Sequence, residues 1–264
     1  MMLLLSITKL YFPKQGHYFM KSTHKPEGEL IFGLHPIIEA LKAKKRKIIS
    51  LYTTKPEPKG WQDIANNLPH KHIPIQYVDR SVLTRMAGNT DHQGVIAWTA
   101  QFPFKKQMFD PQKHPLLLML DCVQDPRNVG AIIRSAFCTA FNGIILIKKG
   151  GSPLSATALK AAAGLAEHSD IFIAQSSTDA VTQLKKAGYA LYMATFDGKS
   201  ALSYDFKPPL CLIIGSEGTG ISKSILKEGI HITLPQKTKE ISYNASVAAG
   251  LLAFLISTKC GNLQ

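Results

Sequence analysis

Leu120-Asp121-Cys122-Val123-Gln124-Asp125-Pro126-Arg127-Asn128-Val129-Gly130-Ala131-Ile132-Ile133-Arg134-Ser135-Ala136 decides the fold class, together with the apolar run 116–120 that leads into it. Five apolar residues in succession, with no polar alternation, are expected of a strand buried on both faces. Asn128 stands just before an apolar-periodic segment, where a helix N-cap belongs. The spacing predicts a helix over 129–140 whose buried stripe is Val129, Ile132, Ile133, Ala136, Phe137 and Ala140. At about 100° per residue Arg134 falls off that stripe. It faces either solvent, as most lone helical arginines do, or a cleft.

Outward from this stretch the same alternation continues. Strands are read at 144–147, 171–174, 191–194, 210–214 and 230–234, and helices at 156–163, 178–187 and 245–257. Strands alternating with helices imply a largely parallel, doubly wound α/β sheet. The last helix carries Val247, Leu251, Leu252, Phe254 and Leu255, so nearly every side of it is apolar. That suits burial in a core or in an interface between copies. Upstream, Pro103, Pro111 and Pro115 mark 102–115 as a linker. Before it, residues 29–101 form a compact α/β unit with strands at 31–32, 48–52, 73–78 and 94–99 and helices at 35–42, 61–68 and 81–86. Residues 1–28 scatter Lys9, Lys14, Lys21 and Lys25 among proline and glycine and read as a basic flexible arm.

The 264 residues carry a net charge of +13, and 45% of them are hydrophobic, enough for a packed core. An excess of cations on a globular chain points to an anionic partner, with nucleic acid ahead of a membrane surface. The apolar start 1–7 is far shorter than the ~20 residues of a bilayer span, and it lacks a signal-peptide cleavage pattern. Cys122, Cys138, Cys211 and Cys260 form no C-x-x-C pair, so neither a zinc site nor a redox motif is suggested. The first three sit in apolar runs, read as core residues, and suit a reducing cytoplasm.

Two polar turns follow predicted strands. Gly215-Ser216-Glu217-Gly218-Thr219-Gly220 is glycine-rich but runs G-x-x-G-x-G, not the dinucleotide order G-x-G-x-x-G. Glu217 within it would repel a pyrophosphate and suits a neutral or cationic ligand. Leu234-Pro235 leads to Ser242-Tyr243-Asn244-Ala245-Ser246 at the start of the last helix, where free amides bind polar groups or Ser242 or Asn244 simply caps the helix. Gly198-Lys199-Ser200 copies the end of a P-loop, but Met193 stands where its first glycine is required. Lys44-Lys45-Arg46-Lys47 is a basic turn whose side chains can meet phosphate.

These three separated segments resemble the signature motifs of the SPOUT RNA methyltransferases, in the TrmH/SpoU family that methylates a ribose 2′-hydroxyl. The resemblance covers the last three-fifths of the chain. It implies S-adenosylmethionine as cofactor, no metal, a homodimer, and a C-terminal SPOUT α/β domain (116–264) with a deep trefoil knot. It assigns catalytic roles to Asn128, Arg134, Glu217, Ser242 and Asn244. Cofactor contacts fall to Thr195, Gly215, Leu234, Tyr243 and Ser246. Where the family usually has methionine, glycine and leucine, this chain has Gln236, Thr238 and Tyr243, which bears on subgroup and substrate. The first unit resembles the small ribosomal-protein-like substrate-binding domain found before many such enzymes, which often ends in the triplet His92-Gln93-Gly94. With Lys44, Lys45, Arg46, Lys47 and Gln93 as RNA contacts, the resemblance runs to the RlmB-like branch acting on a guanosine of large-subunit rRNA, in the cytoplasm. The alternatives are a tRNA substrate or an inactive RNA-binding protein.

Overall fold

A computed structural model describes residues 28–238 and 240–263. The basic arm read at 1–28 lies outside the described residues except for Gly28.

The first sheet combines β1 (Glu29–Phe32), β2 (Ile48–Thr53), β3 (Ile75–Tyr77) and β4 (Val95–Thr99) in the order β1-β4-β2-β3. β4 runs antiparallel to β1 and β2, and β2 runs parallel to β3. Its connecting helices are α1 (Leu34–Ala43), α2 (Trp61–Asn67) and α3 (Arg80–Ala87).

The second sheet combines β5 (Leu116–Leu120), β6 (Gly143–Ile147), β7 (Asp170–Ala174), β8 (Ala190–Ser200), β9 (Leu210–Ile214) and β10 (Ile230–Thr233). Their order is β10-β8-β9-β5-β6-β7, and every neighbouring pair is parallel. Helices α4 (Pro126–Cys138), α5 (Ala156–Ala161), α6 (Ser177–Lys186) and α7 (Ala245–Lys259) cover it. Leu116, Leu118 and Leu120 pack with Ile132 and Ala136 of α4 and Leu252 and Ile256 of α7. Leu117 and Met119 pack with Ala180, Val181 and Leu184 of α6. Both faces are therefore dry, which is why the strand sequence shows no polar alternation. The chain departs from β5 in one direction to β6 and β7 and returns on the other side to β8 and β9. The carboxyl ends of β5 and β9 consequently adjoin at the sheet's switch point, where α/β folds open a crevice.

Three local readings are corrected. Helix α4 begins at Pro126, capped by Asp125, whose carboxylate accepts from the Arg127 N–H at 2.8 Å. Asn128 is therefore not the cap but stands in the first helical turn. Strand β8 runs to Ser200 and absorbs the P-loop look-alike. Its pairing with β10 jumps from Met193↔His231 to Lys199↔Ile232, so residues 194–198 bow out of the ladder. Phe137 and Cys138 are exposed rather than core.

The two sheets are tied by a buried charge cluster. Arg46 is buried, and its Nε donates to Glu167 at 3.1 Å while Nη1 donates to Glu29 at 2.8 Å. Its guanidinium also lies over the Phe102 ring, 5.3 Å from the centroid. Lys45 donates to Asp170 at 3.2 Å and to the Ser169 carbonyl at 3.3 Å. The basic turn thus faces the second sheet's unit, and Arg46 is not available to phosphate because its donors are committed to carboxylates away from water. Burial pushes the Glu167 carboxyl up from its usual range, and the Arg46 hydrogen bonds oppose that shift. Breaking such a pair strands a buried charge. Arg46→Ala is expected to lower unfolding stability by about 3–5 kcal/mol, whereas the paired change Arg46→Met with Glu167→Met recovers most of it. Urea unfolding measures both. A loss under about 1 kcal/mol for the single variant, the size of an exposed pair, would contradict the clamp.

Candidate active site

Three polar turns meet at one side chain. Asn128 Nδ2 donates to Glu217 Oε1 at 2.6 Å, and Asn244 Nδ2 donates to Asn128 Oδ1 at 3.3 Å. Helix α4, the turn after β9 and the start of α7 are joined in this way across 89 and 116 residues of sequence. Local chemistry presents each group. Asp125 caps α4 and leaves the Asn128 amide free for tertiary contacts. Asn244 caps α7 through Oδ1, which accepts from the Ser246 N–H at 2.8 Å and the Ser246 hydroxyl at 2.6 Å. The turn carrying Glu217 is closed by paired backbone bonds between Ser216 and Gly220, 3.0 Å each way. A Cβ on Gly215 would overlap the Gly220 carbonyl group and the Ile221 nitrogen, so glycine is required for the turn to fold back on itself. Gly130 is needed for a different reason: a Cβ there would overlap the Ala158 carbonyl where α4 crosses α5.

Beside this junction lies a cavity of about 430 Å³. Its walls are the bowed segment of β8, the turn after β9, and the chain between β10 and α7. Thr195, Gly215, Glu217, Leu234, Ser242 and Tyr243 all line it. The Thr195 hydroxyl is buried without a hydrogen-bond partner. Asp197 and Glu217 place two carboxylates on the wall, and no lysine, arginine or histidine lines it among the described residues.

Other predicted site residues sit elsewhere. Asn128 and Asn244 stand at the junction rather than in the cavity lining, and Ser246 spends its N–H and hydroxyl on Asn244. Arg134 is exposed and lies outside the lining, on the same face of α4 as Arg127 and Ala131 at helical spacing. Lys44 and Lys47 are exposed. Gln93 turns toward the second unit, where its Oε1 accepts from the Lys160 ammonium and from the Leu34 N–H at 3.2 Å. Its neighbour His92 is fully buried: Nδ1 accepts from the Gly94 N–H at 3.0 Å, and Nε2 meets the Thr84 hydroxyl at 3.1 Å. Burial, aided by Arg80, holds its pKa below the usual imidazole value. The triplet is thus a folded turn with Gln93 and Gly94 at positive φ.

Two contributors were not read from sequence. Asp121 is fully buried at the end of β5 and accepts from the Ser177 hydroxyl, the Ser222 N–H at 2.6 Å and the Ser222 hydroxyl at 3.0 Å. It fastens the loop after the Glu217 turn to the sheet. A lone acidic residue closing an apolar strand was its only signal. Asp197 was hidden in the P-loop look-alike.

Comparison with known proteins gives the family and the fold. Residues 115–254 match the SpoU rRNA Methylase family, and residues 30–104 match the RNA 2′-O ribose methyltransferase substrate binding family. A relative in Bacillus subtilis (strain 168), described as the TrmH family tRNA/rRNA methyltransferase YacO, is 31% identical over 242 residues, covering 88% of this chain and 96% of the relative. Among solved structures, an AdoMet-bound rRNA methyltransferase from Sinorhizobium meliloti superposes with a TM-score of 0.74 at 23% identity, over 88% of this chain and 87% of that one. An RNA 2′-O ribose methyltransferase superposes with a TM-score of 0.75 at 21% identity, over 88% of each chain. The fold is the SPOUT α/β architecture, known to form a trefoil knot, behind an N-terminal substrate-binding domain. The chain belongs to the SpoU rRNA methylase family.

Proposed function

We propose that this protein is an S-adenosylmethionine-dependent RNA methyltransferase that modifies a ribose 2′-hydroxyl, with a guanosine of large-subunit rRNA as first candidate and tRNA as second. The observation carrying the reading is the Asn128 junction set against a cavity walled by two carboxylates and, among the described residues, no cation. That wall suits a cationic ligand and opposes a pyrophosphate. The buried, unpartnered Thr195 hydroxyl offers the cavity a polar contact that the protein itself leaves unused. The residues present therefore fit the methyl donor, held by Thr195, Gly215, Leu234 and Tyr243. When bound, it supplies an electrophilic methyl on a sulfonium.

The chain's own residues must place the ribose and draw off its proton. A guanidinium is almost never deprotonated, so Arg134 is unsuited to be the base. Its exposed position on α4 suits a hold on RNA phosphate. Glu217 supplies an acceptor beside Asn128: Asn128 occupies Oε1, which leaves Oε2 for the hydroxyl. Asn128 and Ser242 orient the sugar, and Asn244 fixes Asn128 from behind.

The second copy of a homodimer is the occupant proposed for the outer face of α7. Val247, Leu251 and Phe254 recur there at helical spacing and are 45–59% exposed, an apolar stripe larger than isolated surface residues produce. Four unpaired cysteines fit a reducing cytoplasm. Among the described residues no helix is long and apolar enough to cross a membrane.

Transfer of labelled methyl from the donor to total RNA tests the activity. Asn128→Ala and Glu217→Gln are each expected to cut kcat by roughly 10²-fold or more, the scale of a lost proton acceptor. Donor affinity stays within about twofold for Asn128→Ala and weakens for Glu217→Gln, which removes one of the two wall carboxylates. Wild-type protein that binds RNA without transferring label would leave only the inactive reading. Sedimentation of the same preparation tests the dimer: twice the chain mass is expected, reduced to the single mass by Phe254→Glu, and a single mass for the unaltered protein would contradict it.

A further inference from the structure

A second cavity, about 420 Å³, lies between the two units. One side is formed by β1 and the turn carrying Asn89 and Asp91, and the other by α4 and α5. Asn128 lines it too, and the same amide is bonded to Glu217 in the wall of the first cavity. The Asn128–Glu217 pair is therefore the partition between the two spaces. With the donor on one side and the reacting ribose at the partition, the base on that ribose has this second space to enter. We infer that the cleft between the units seats the target nucleobase and selects guanine through Asp91 and Lys160, an inference that rests on the methyl-transfer reading above.

The charges in the cleft carry the selectivity. Arg127, Lys160 and Asp91 all line it. Lys160 donates to the neutral carbonyl of Gln93, and burial draws its pKa down, so its ammonium is poorly solvated. The Asp91 carboxylate has no hydrogen-bond or ion-pair partner among the described residues. A phosphate would be opposed by Asp91, and a cation by Arg127 and Lys160. A neutral edge presenting adjacent N–H donors beside a carbonyl satisfies both. Guanine alone offers that set on its Watson–Crick edge, with N1–H and the 2-amino group for the carboxylate and O6 for the ammonium. Adenine, cytosine and uracil each lack one of the two adjacent donors. The volume falls within the ~300–1,000 Å³ of small-molecule sites.

Saturation-transfer NMR on the full chain with GMP, IMP, AMP, CMP and UMP reads the inference without any methyl transfer. GMP is expected to bind tighter than the others, including IMP, which lacks the 2-amino group, by roughly tenfold or more. Asp91→Asn and Lys160→Met should each remove that preference, and thermal unfolding checks that both variants remain folded. If the Lys160 variant unfolds, the exposed Asp91 position alone decides. Equal binding of all five, binding of none, or a preference that survives Asp91→Asn overturns the inference. RNA methylation without guanine preference would sink this inference alone. Guanine binding without transfer would sink the methyltransferase reading and leave the base site standing.

Discussion

Both ends of the Asn128 amide are in use, one donating to Glu217 and the other accepting from Asn244. On that single side chain depends the convergence of turns that lie far apart in sequence. The bonds are exposed and worth about 1 kcal/mol each, so they position groups and do not hold the fold together. The geometry behind them is set more deeply. Placing β5 beside β9 brings two strand ends together. Starting α4 at Pro126 puts residue 128 in the first turn with its amide unspent. Gly130 lets α5 come close enough to line the space beyond.

Rigidity is supplied by two buried carboxylates used in different ways. Asp121 has no cation beside it among the described residues and is satisfied by the hydroxyls of Ser177 and Ser222 and one backbone N–H, which fixes the loops at the carboxyl end of the sheet. Glu167 is satisfied by Arg46, which fixes one unit against the other. A continuous apolar cluster runs through both units, including Ile37 and Leu51 of the first and Leu159 and Ala166 of the second. The cleft beside Asn128 is thus a consequence of docking, and its walls are set by residues with no part in the proposed chemistry.

Much of this was legible in the sequence, for a physical reason. Strands 116–120 and 210–214 have the bounds expected of them because burial on both faces leaves an unbroken apolar run, bounded by Pro115 and Asp121 in one and by Pro209 and Gly215 in the other. The start of α4 was misjudged because Asp125 and Asn128 are both good caps, and Pro126, which favours the first helical position, decides between them. Arg46 was misjudged because a run of cations looks like a phosphate face, while the carboxylate that claims it lies 121 residues away. The bow in β8 could not be read at all: Phe196-Asp197-Gly198 has the composition of a turn, and only pairing with β10 on both sides of it marks a strand. The family motifs named the turns correctly as neighbours, but the cleft depends on contacts between units, for which local pattern carries no signal.

The most direct measurement of the central claim is a crystal structure of the full chain with a non-reactive analogue of the methyl donor. The analogue should occupy the cavity lined by Thr195, Gly215 and Leu234, accept or donate a hydrogen bond at the Thr195 hydroxyl, and direct its sulfonium-equivalent centre at the Asn128–Glu217 pair. An analogue bound outside that cavity, or one whose reacting centre points away from Asn128, would contradict the account.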